Sequence, residues 1–549
     1  MRSLPTRRAV LGASAALAGS GLLSACSDAG AGSATGQGST GHGAMRHGGS
    51  AADTPPGYVD PAGPEVRAAE AARKATGPLT EVKVTATATP LDLGGGVSVR
   101  SWAYGDTLPG KEVRATAGGT LALTLANNLP EATSLHWHGL ALRNDMDGVP
   151  GLTQRDIAPG RSFSYEFAVP TPGTFWFHPH TGVQQDRGLY APLIIEDPKE
   201  PLSYDKEWVV VLDDWLDGVD GSTPDAVLAS LRKGMAANHA AHGPQAGGTA
   251  KPGTTGTTGT TGTTGTTRSG GPDRLLVGSE SDILGKEAGD VAYPHYLING
   301  RVPADPSVFT AKPGDRIRLR IVNAGGDTAF RIALGGHQLT VTHTDGYPVE
   351  PATTDCLLLG MGERYDVLVT AGDGVFPLTA LAEGKGQAAL AVLRTGSGTA
   401  PTASTRPTEL ESRPLPADEL KAAESVALDG REPDRTLQMR LTGNMQRYNW
   451  AFDNEPYTPE QRRPVKAGER VRIEFANSTP MWHPLHLHGH TFALGTGGKG
   501  GARKDTTIIL PGQRLTVEFD ADNPGLWMAH CHNVYHSESG MMTVLGYQL

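Results

Sequence analysis

Short runs of β-branched and other apolar residues, separated by Gly and Pro turns, recur through most of the chain. Runs of that length and bounding read as strands. Thr120-Leu121-Ala122-Leu123-Thr124-Leu125, Thr174-Phe175-Trp176-Phe177 and Lys206-Glu207-Trp208-Val209-Val210-Val211-Leu212 are three examples. The runs gather into three stretches, and 549 residues is also a length that suggests about three domains. The pattern predicts an all-β protein of three β-sandwich domains at residues 80–200, 205–395 and 437–549, with a Pro-rich, acidic connector at 396–436.

Two segments break the pattern. Residues 27–79 are dominated by Gly, Ala, Ser and Pro, the composition of a disordered tether. Inside the second domain, residues from about 225 to 275 include Thr and Gly repeats up to Thr267, which cannot bury a core and predict a flexible loop. Each segment carries soft ligands: His42, Met45 and His47 in the first, Met235, His239 and His242 in the second. Each group reads either as a place where a soft metal ion is gathered or as ordinary solvated chain.

At the N-terminus, Arg7 and Arg8 precede a small-residue apolar run ending in Leu23-Ser24-Ala25-Cys26. That is the order of a twin-arginine export signal over residues 1–26, a targeting segment and not part of the fold. The run, about 17 residues and rich in Ala and Gly, is too short and weak for a spanning helix. Its ending resembles a bacterial lipobox, which implies a lipid on Cys26 and a lipoprotein held in the cell envelope, on the outer face of the cytoplasmic membrane. A plain cleaved signal is the alternative. Membrane contact is expected through the lipid alone. A net charge of −10 and a pI near 6.0 argue against a nucleic-acid partner.

The candidate chemistry lies close to the ends. His530-Cys531-His532, His536 and Met541 bring a thiolate, imidazoles and a thioether together. A blue-copper centre takes two His, one Cys and a weak axial Met. Cys531, His536 and Met541 supply three of these, and the segment around His483 supplies the other imidazole. If Cys531 lies on a strand, His530 and His532 point to the opposite face, so that one strand touches two metal sites. His136-Trp137-His138, His178-Pro179-His180 and His486-Leu487-His488 add three more His-x-His pairs. Eight imidazoles exceed what a zinc or mononuclear iron site needs, and nitrogen-rich sites favour copper. Of the three Cys, Cys356 is left as a buried free thiol, so no disulfide framework is available. The remaining His residues, including His337 and His343 in the middle domain, are read as structural.

These four motifs, in this order, resemble the multicopper oxidase family. Leu140-Ala141-Leu142-Arg143-Asn144-Asp145-Met146-Asp147-Gly148, Tyr296-Leu297-Ile298-Asn299-Gly300 and Gly362-Glu363-Arg364-Tyr365-Asp366 are similar to segments of actinobacterial copper-tolerance lipoprotein oxidases. The resemblance covers residues 80–549 and implies three cupredoxin-like Greek-key sandwiches and four copper ions. It also implies roles by position. His483, Cys531 and His536 match type 1 ligands, with Met541 axial; His136 and His486 match the type 2 pair; His138, His178, His180, His488, His530 and His532 match the type 3 pair. The cluster then lies between the first and last domains, the middle domain acts as a spacer, and a monomer is expected.

The function implied is one-electron oxidation of Cu(I) or Fe(II), coupled to four-electron reduction of O2 to water, in copper tolerance. The alternative is a laccase acting on phenols and aromatic amines. Electrons are expected to enter through whichever of His483 and His536 reaches solvent, and to pass from Cys531 to His530 and His532. Asp147 and Glu538, close in sequence to cluster ligands, are candidate proton relays. Met481 matches the place where similar cuprous oxidases put a thioether, although Thr479 stands where some of them carry a carboxylate. A copper carrier that does not reduce O2 needs only the type 1 set, so the eight further His argue against it.

Overall fold

The computed structural model describes residues 54–234, 274–495 and 500–549. The segment expected to be an export signal, with Cys26, the expected tether up to residue 53, the Met235, His239 and His242 group and the Thr/Gly repeats lie outside the described residues. Among the described residues no helix is long and apolar enough to cross a membrane.

The strand Gly119–Asn128 shows how the pattern becomes a sandwich. Leu121, Leu123 and Leu125 are wholly buried, while the residues between them face the half-exposed side. Each face of a strand takes alternate side chains, so apolar residues two apart build one inner wall. The described strands form six sheets, two for each of three successive sandwiches.

All three sandwiches repeat the same two parallel pairings within otherwise antiparallel sheets. The opening strand pairs with a later neighbour: Leu79–Gly94 with Gly119–Asn128, Lys206–Trp215 with Arg316–Asn323, and Arg435–Thr442 with Arg470–Asn477. In the facing sheet a short edge strand pairs with the domain's last strand: Val113–Thr116 with Ala191–Glu196, Ser307–Thr310 with Ala388–Arg394, and Arg463–Val465 with Met542–Tyr547. Parallel neighbours cannot be joined by a hairpin, so the chain crosses between sheets in each domain. The fold is the cupredoxin-like sandwich, three times over.

Two expectations need correction. The expected tether does not extend to residue 79, because residues 59–73 are already packed against the first and last domains. A helix at Pro64–Ala72 begins with Pro at its first turn, where the missing N–H costs nothing. The few apolar residues of this arm are used: Val59 and Val66 are buried, and Val59 N–H donates to Tyr547 O at 2.8 Å. Arg73 donates to Asn523 Oδ1 at 2.9 Å and to Leu142 O at 3.4 Å, so the arm touches both the last and the first domain. A composition that looks like linker hid these contacts. Likewise the insertion expected from about 225 opens on a folded helix, Pro224–Leu231, whose first turn is capped by Thr223 Oγ1 accepting from Ala226 N–H at 3.2 Å.

Cys356 and His337, both of the middle domain, are packed and hydrogen-bonded. Cys356 is buried against Ala333 and Leu410, donates to Ser412 O at 3.2 Å, and has its thiol pushed up to about 11 by burial. His337 is fixed between Gly335 O at 2.8 Å and Gly372 N–H at 3.0 Å.

Candidate metal centre

The strand Leu526–Cys531 lies beside the strand His483–Leu487, with Leu485 opposite Cys531 and His486 opposite His530. Cys531 ends its strand, and the chain turns at once into the short helix Val534–Glu538, capped by Asn533 Oδ1 accepting from Tyr535 N–H at 3.0 Å. The turn returns His536 to the thiol. Cys531 Sγ lies 3.6 Å from His483 Nδ1 and 3.7 Å from His536 Nδ1, and the two nitrogens are 3.1 Å apart. Met541 is buried and tied to the same turn, its N–H donating to His536 O at 3.1 Å and its carbonyl accepting from Cys531 N–H at 3.0 Å.

Both imidazoles turn their other nitrogen outward. His483 Nε2 lies 2.8 Å from Thr479 Oγ1, and His536 Nε2 lies 2.8 Å from Asp290 Oδ2. With the protons on Nε2, both Nδ1 lone pairs face the sulfur, the tautomer a metal ligand needs. Neither ring reaches solvent, which corrects the expectation of an exposed imidazole edge. Met481 is also wholly buried, within the main hydrophobic core. Its thioether is thus an interior group and not a surface one.

On the opposite face of the Cys531 strand, the other eight His converge. In the first domain His136 pairs across the sheet with His178. Rings of the first and last domains then meet: His136 stacks on His488 and His138 on His486, each at 3.8 Å between centroids. His530 Nε2 is 3.1 Å from His488 Nε2 and 3.4 Å from His180 Nε2, and His532 Nε2 is 3.2 Å from His138 Nδ1.

Six of the eight rings share one hydrogen-bonding logic. His136, His178, His486 and His530 turn Nδ1 to a backbone carbonyl, of Asp147, Pro179, Asp505 and Cys531 respectively, at 2.8–3.0 Å. His488 turns Nδ1 to Asp147 Oδ2 at 3.0 Å, and His138 turns Nε2 to Asp505 Oδ1 at 3.1 Å. The inward nitrogens of His136, His178 and His486 are buried with no hydrogen-bond partner. Unpaired buried nitrogens are costly, and their convergence fits a metal cluster. Burial, reinforced by the neighbouring imidazoles, holds His138, His178, His180, His488, His530 and His532 well below the usual range, so the rings are neutral and their lone pairs available.

Of the two candidate relays, Asp147 is buried and touches two cluster rings, His488 at 3.0 Å and His136 at 3.2 Å. Glu538 lines a cavity of about 20 Å3 that also borders His178, His180, His530 and His532. The sequence reading missed Asp290 and Asp505. Asp290 lies in an unremarkable loop, and Asp505 follows Arg503 and Lys504 in what reads as a surface charge run. Only the fold brings them to the rings.

Three cupredoxin-like sandwiches with a thiolate-imidazole site beside an eight-imidazole site define a copper-dependent oxidoreductase. Multicopper oxidase family models match residues 85–200, 276–398 and 430–548. The chain belongs to the multicopper oxidase family. It is 47% identical to multicopper oxidase MmcO of Mycobacterium tuberculosis, over 88% of this chain and 90% of that protein. It is 29% identical to a copper resistance protein A homolog of Pseudomonas syringae pv. tomato, over 84% and 90%. Among solved structures, Fet3p, described as a multicopper oxidase that functions in iron import, shares the fold with a TM-score of 0.67 at 22% identity, over 86% of this chain and 90% of that one.

Proposed function

We propose that the protein oxidises Cu(I) or Fe(II) one electron at a time and reduces O2 to water, in copper tolerance. In this reading His483, Cys531, His536 and Met541 would hold a type 1 copper, His136 and His486 a type 2 copper, and His138, His178, His180, His488, His530 and His532 a type 3 pair. Bound there, the copper ions supply one-electron acceptance and the four-electron reduction of O2. The single observation that carries the choice of donor is the Asp290 carboxylate on His536 Nε2, at 2.8 Å. A phenol needs an open imidazole edge, and both edges are buried, whereas the Asp290 carboxylate, itself wholly buried, acts on a small cation through its field and not by contact.

The chain's own residues account for the rest. Cys531 is bonded through the backbone to His530 and His532, so a covalent path joins the two sites. The contact of Asp147 with His488 and His136, and the place of Glu538 in the wall of the cavity, support the reading that both pass protons toward the cluster. The names of the relatives, a copper resistance protein among them, support the metal-donor reading. Export by the twin-arginine route, a lipid on Cys26, attachment to the outer face of the cytoplasmic membrane and a monomeric state belong to the same proposal, on the sequence features given above.

The test is O2 uptake by copper-loaded protein, with Cu(I) held in a weak chelator or with a methoxyphenol as donor. The proposal expects the higher kcat/KM with Cu(I). Preference for the phenol makes the enzyme a laccase, and no uptake with either donor ends the oxidase reading.

A further inference from the structure

The middle domain carries none of the converging imidazoles, yet its loop Gly360 to Arg364 lies against them. Gly362 has φ +88°, and a Cβ placed there would come within 2.9 Å of His138 and 2.9 Å of His532. Only a residue without a side chain lets this backbone approach both rings. Next to it, Arg364 is wholly buried and uses its whole fork. Nε donates to Thr174 O at 3.1 Å, Nη1 to Gly362 O at 3.0 Å and Asp505 Oδ1 at 2.6 Å, and Nη2 to Asp345 O at 3.1 Å and Asp505 Oδ2 at 2.7 Å. These partners come from all three domains, and Thr174 lies on the strand that ends in His178.

Asp505 passes the arrangement on. Its Oδ1 lies 3.1 Å from His138 Nε2 and 3.4 Å from His486 Nδ1, and its carbonyl accepts from His486 Nδ1 at 2.9 Å. The segment carrying it is held from the middle domain as well, since Asp345 Oδ2 accepts from the N–H groups of Asp505 and Thr506, each at 3.1 Å. Gly139, directly after His138, has φ +88°, and a Cβ there would lie 2.3 Å from Arg364 Nη2. The pair is thus fitted against the strand that presents His138.

We infer that Arg364, with Gly362 beside it, is a positioning residue for the imidazole cluster. The middle domain is then not a spacer: through Arg364 and Asp505 it sets the rings of His138 and His486. The inference rests on the reading of these rings as copper ligands. A lysine at 364 keeps the charge but loses the planar fork that reaches three domains at once, so it separates charge from geometry. Supporting groups of this kind cost about 10–100-fold in metal affinity or activity when changed.

The experiment compares full-length wild type, Arg364→Lys and Gly362→Ala after copper loading. It reads copper per chain, the visible absorption of thiolate-bound copper, the electron paramagnetic resonance signal of nitrogen-bound copper, kcat and KM for the donor, and melting of the copper-free protein. The thiolate site is an internal control, because it lies on the other face of the Cys531 strand. The inference expects both variants to keep the visible absorption and donor KM, while kcat falls about 10–100-fold and the cluster signal shrinks or changes shape. Wild-type cluster signal and kcat in Arg364→Lys overturn it. So does loss of both copper sites in step with a lower melting temperature, which makes Arg364 merely structural. If Arg364→Lys does not fold, Gly362→Ala decides alone, since it moves no charge. Wild type that binds thiolate copper but no cluster copper sinks the ligand reading itself, a different failure from variants that behave as wild type.

Discussion

Asp290 and His536 come from different domains and meet through one hydrogen bond, Oδ2 to Nε2 at 2.8 Å, which Tyr448 steadies by donating to the same oxygen at 2.7 Å. Thr479, which stands where some similar oxidases carry a carboxylate, meets His483, while a carboxylate reaches the other imidazole from a different part of the fold. Its second oxygen, Oδ1, is buried without a hydrogen-bond partner.

Asp290→Asn keeps the shape and removes the charge. It is expected to lower kcat/KM for Cu(I) about tenfold, a loss of about 1.4 kcal/mol in transition-state stabilisation, and to leave the visible absorption of the thiolate site in place. Steady-state O2 uptake measures the first and a spectrum the second. An unchanged cuprous rate removes Asp290 from the route.

Met481→Ala is expected to act through packing. Met481 is wholly buried in the main core, and trimming a buried Met to Ala costs about 2–5 kcal/mol. The variant should melt lower and turn over Cu(I) and a phenol with equal losses. A loss confined to Cu(I) restores the thioether to the substrate path.

The N-terminal arm makes a third prediction. Val66 is 1% exposed on a helix that bridges the first and last domains through Arg73. Val66→Asp buries a carboxylate with no partner prepared for it, at a cost of about 3 kcal/mol. Copper is expected to leave the interdomain cluster faster on exposure to a chelator, while the thiolate site, built within one domain, keeps its absorption. Equal release from both sites counts against the arm as a clasp.

His343 gives a pH dependence. Burial, with the Arg318 charge opposing Asp366, lowers its ring to about 4 from an ordinary 6.5. Between those values the unfolded chain holds a proton that the folded chain refuses. The stability contributed is complete above about 6.5 and is lost as pH falls toward about 4. A His343→Gln variant should show a flatter melting temperature across this window, and a slope equal to that of wild type excludes His343 as the source.

How much of this was legible in the chain follows from distance along it. Cys531, its flanking imidazoles, His536 and Met541 fall within twelve residues, so local spacing and strand alternation suffice to find them. The His-x-His pairs are local as well. Asp505 and Arg364 are separated by 141 residues, and Asp290 and His536 by 246, and no spacing rule connects such pairs. The arm is hard to read for another reason: Val59, Val66 and Arg73 in a Gly- and Ala-rich stretch look like linker until Tyr547 is there to receive Val59 and Asn523 to receive Arg73. The repeated parallel pairing of the three sandwiches leaves no mark on composition, because it lies in the order of strands and not in their residues.

The contact between His532 Nε2 and His138 Nδ1, 394 residues apart, also bears on when the enzyme can be made active. Translation delivers His136, His138, His178 and His180 long before His486, His488, His530 and His532, so a nascent chain holds the first half of the cluster without the second. No product cut short before His532 can hold the complete set of converging imidazoles.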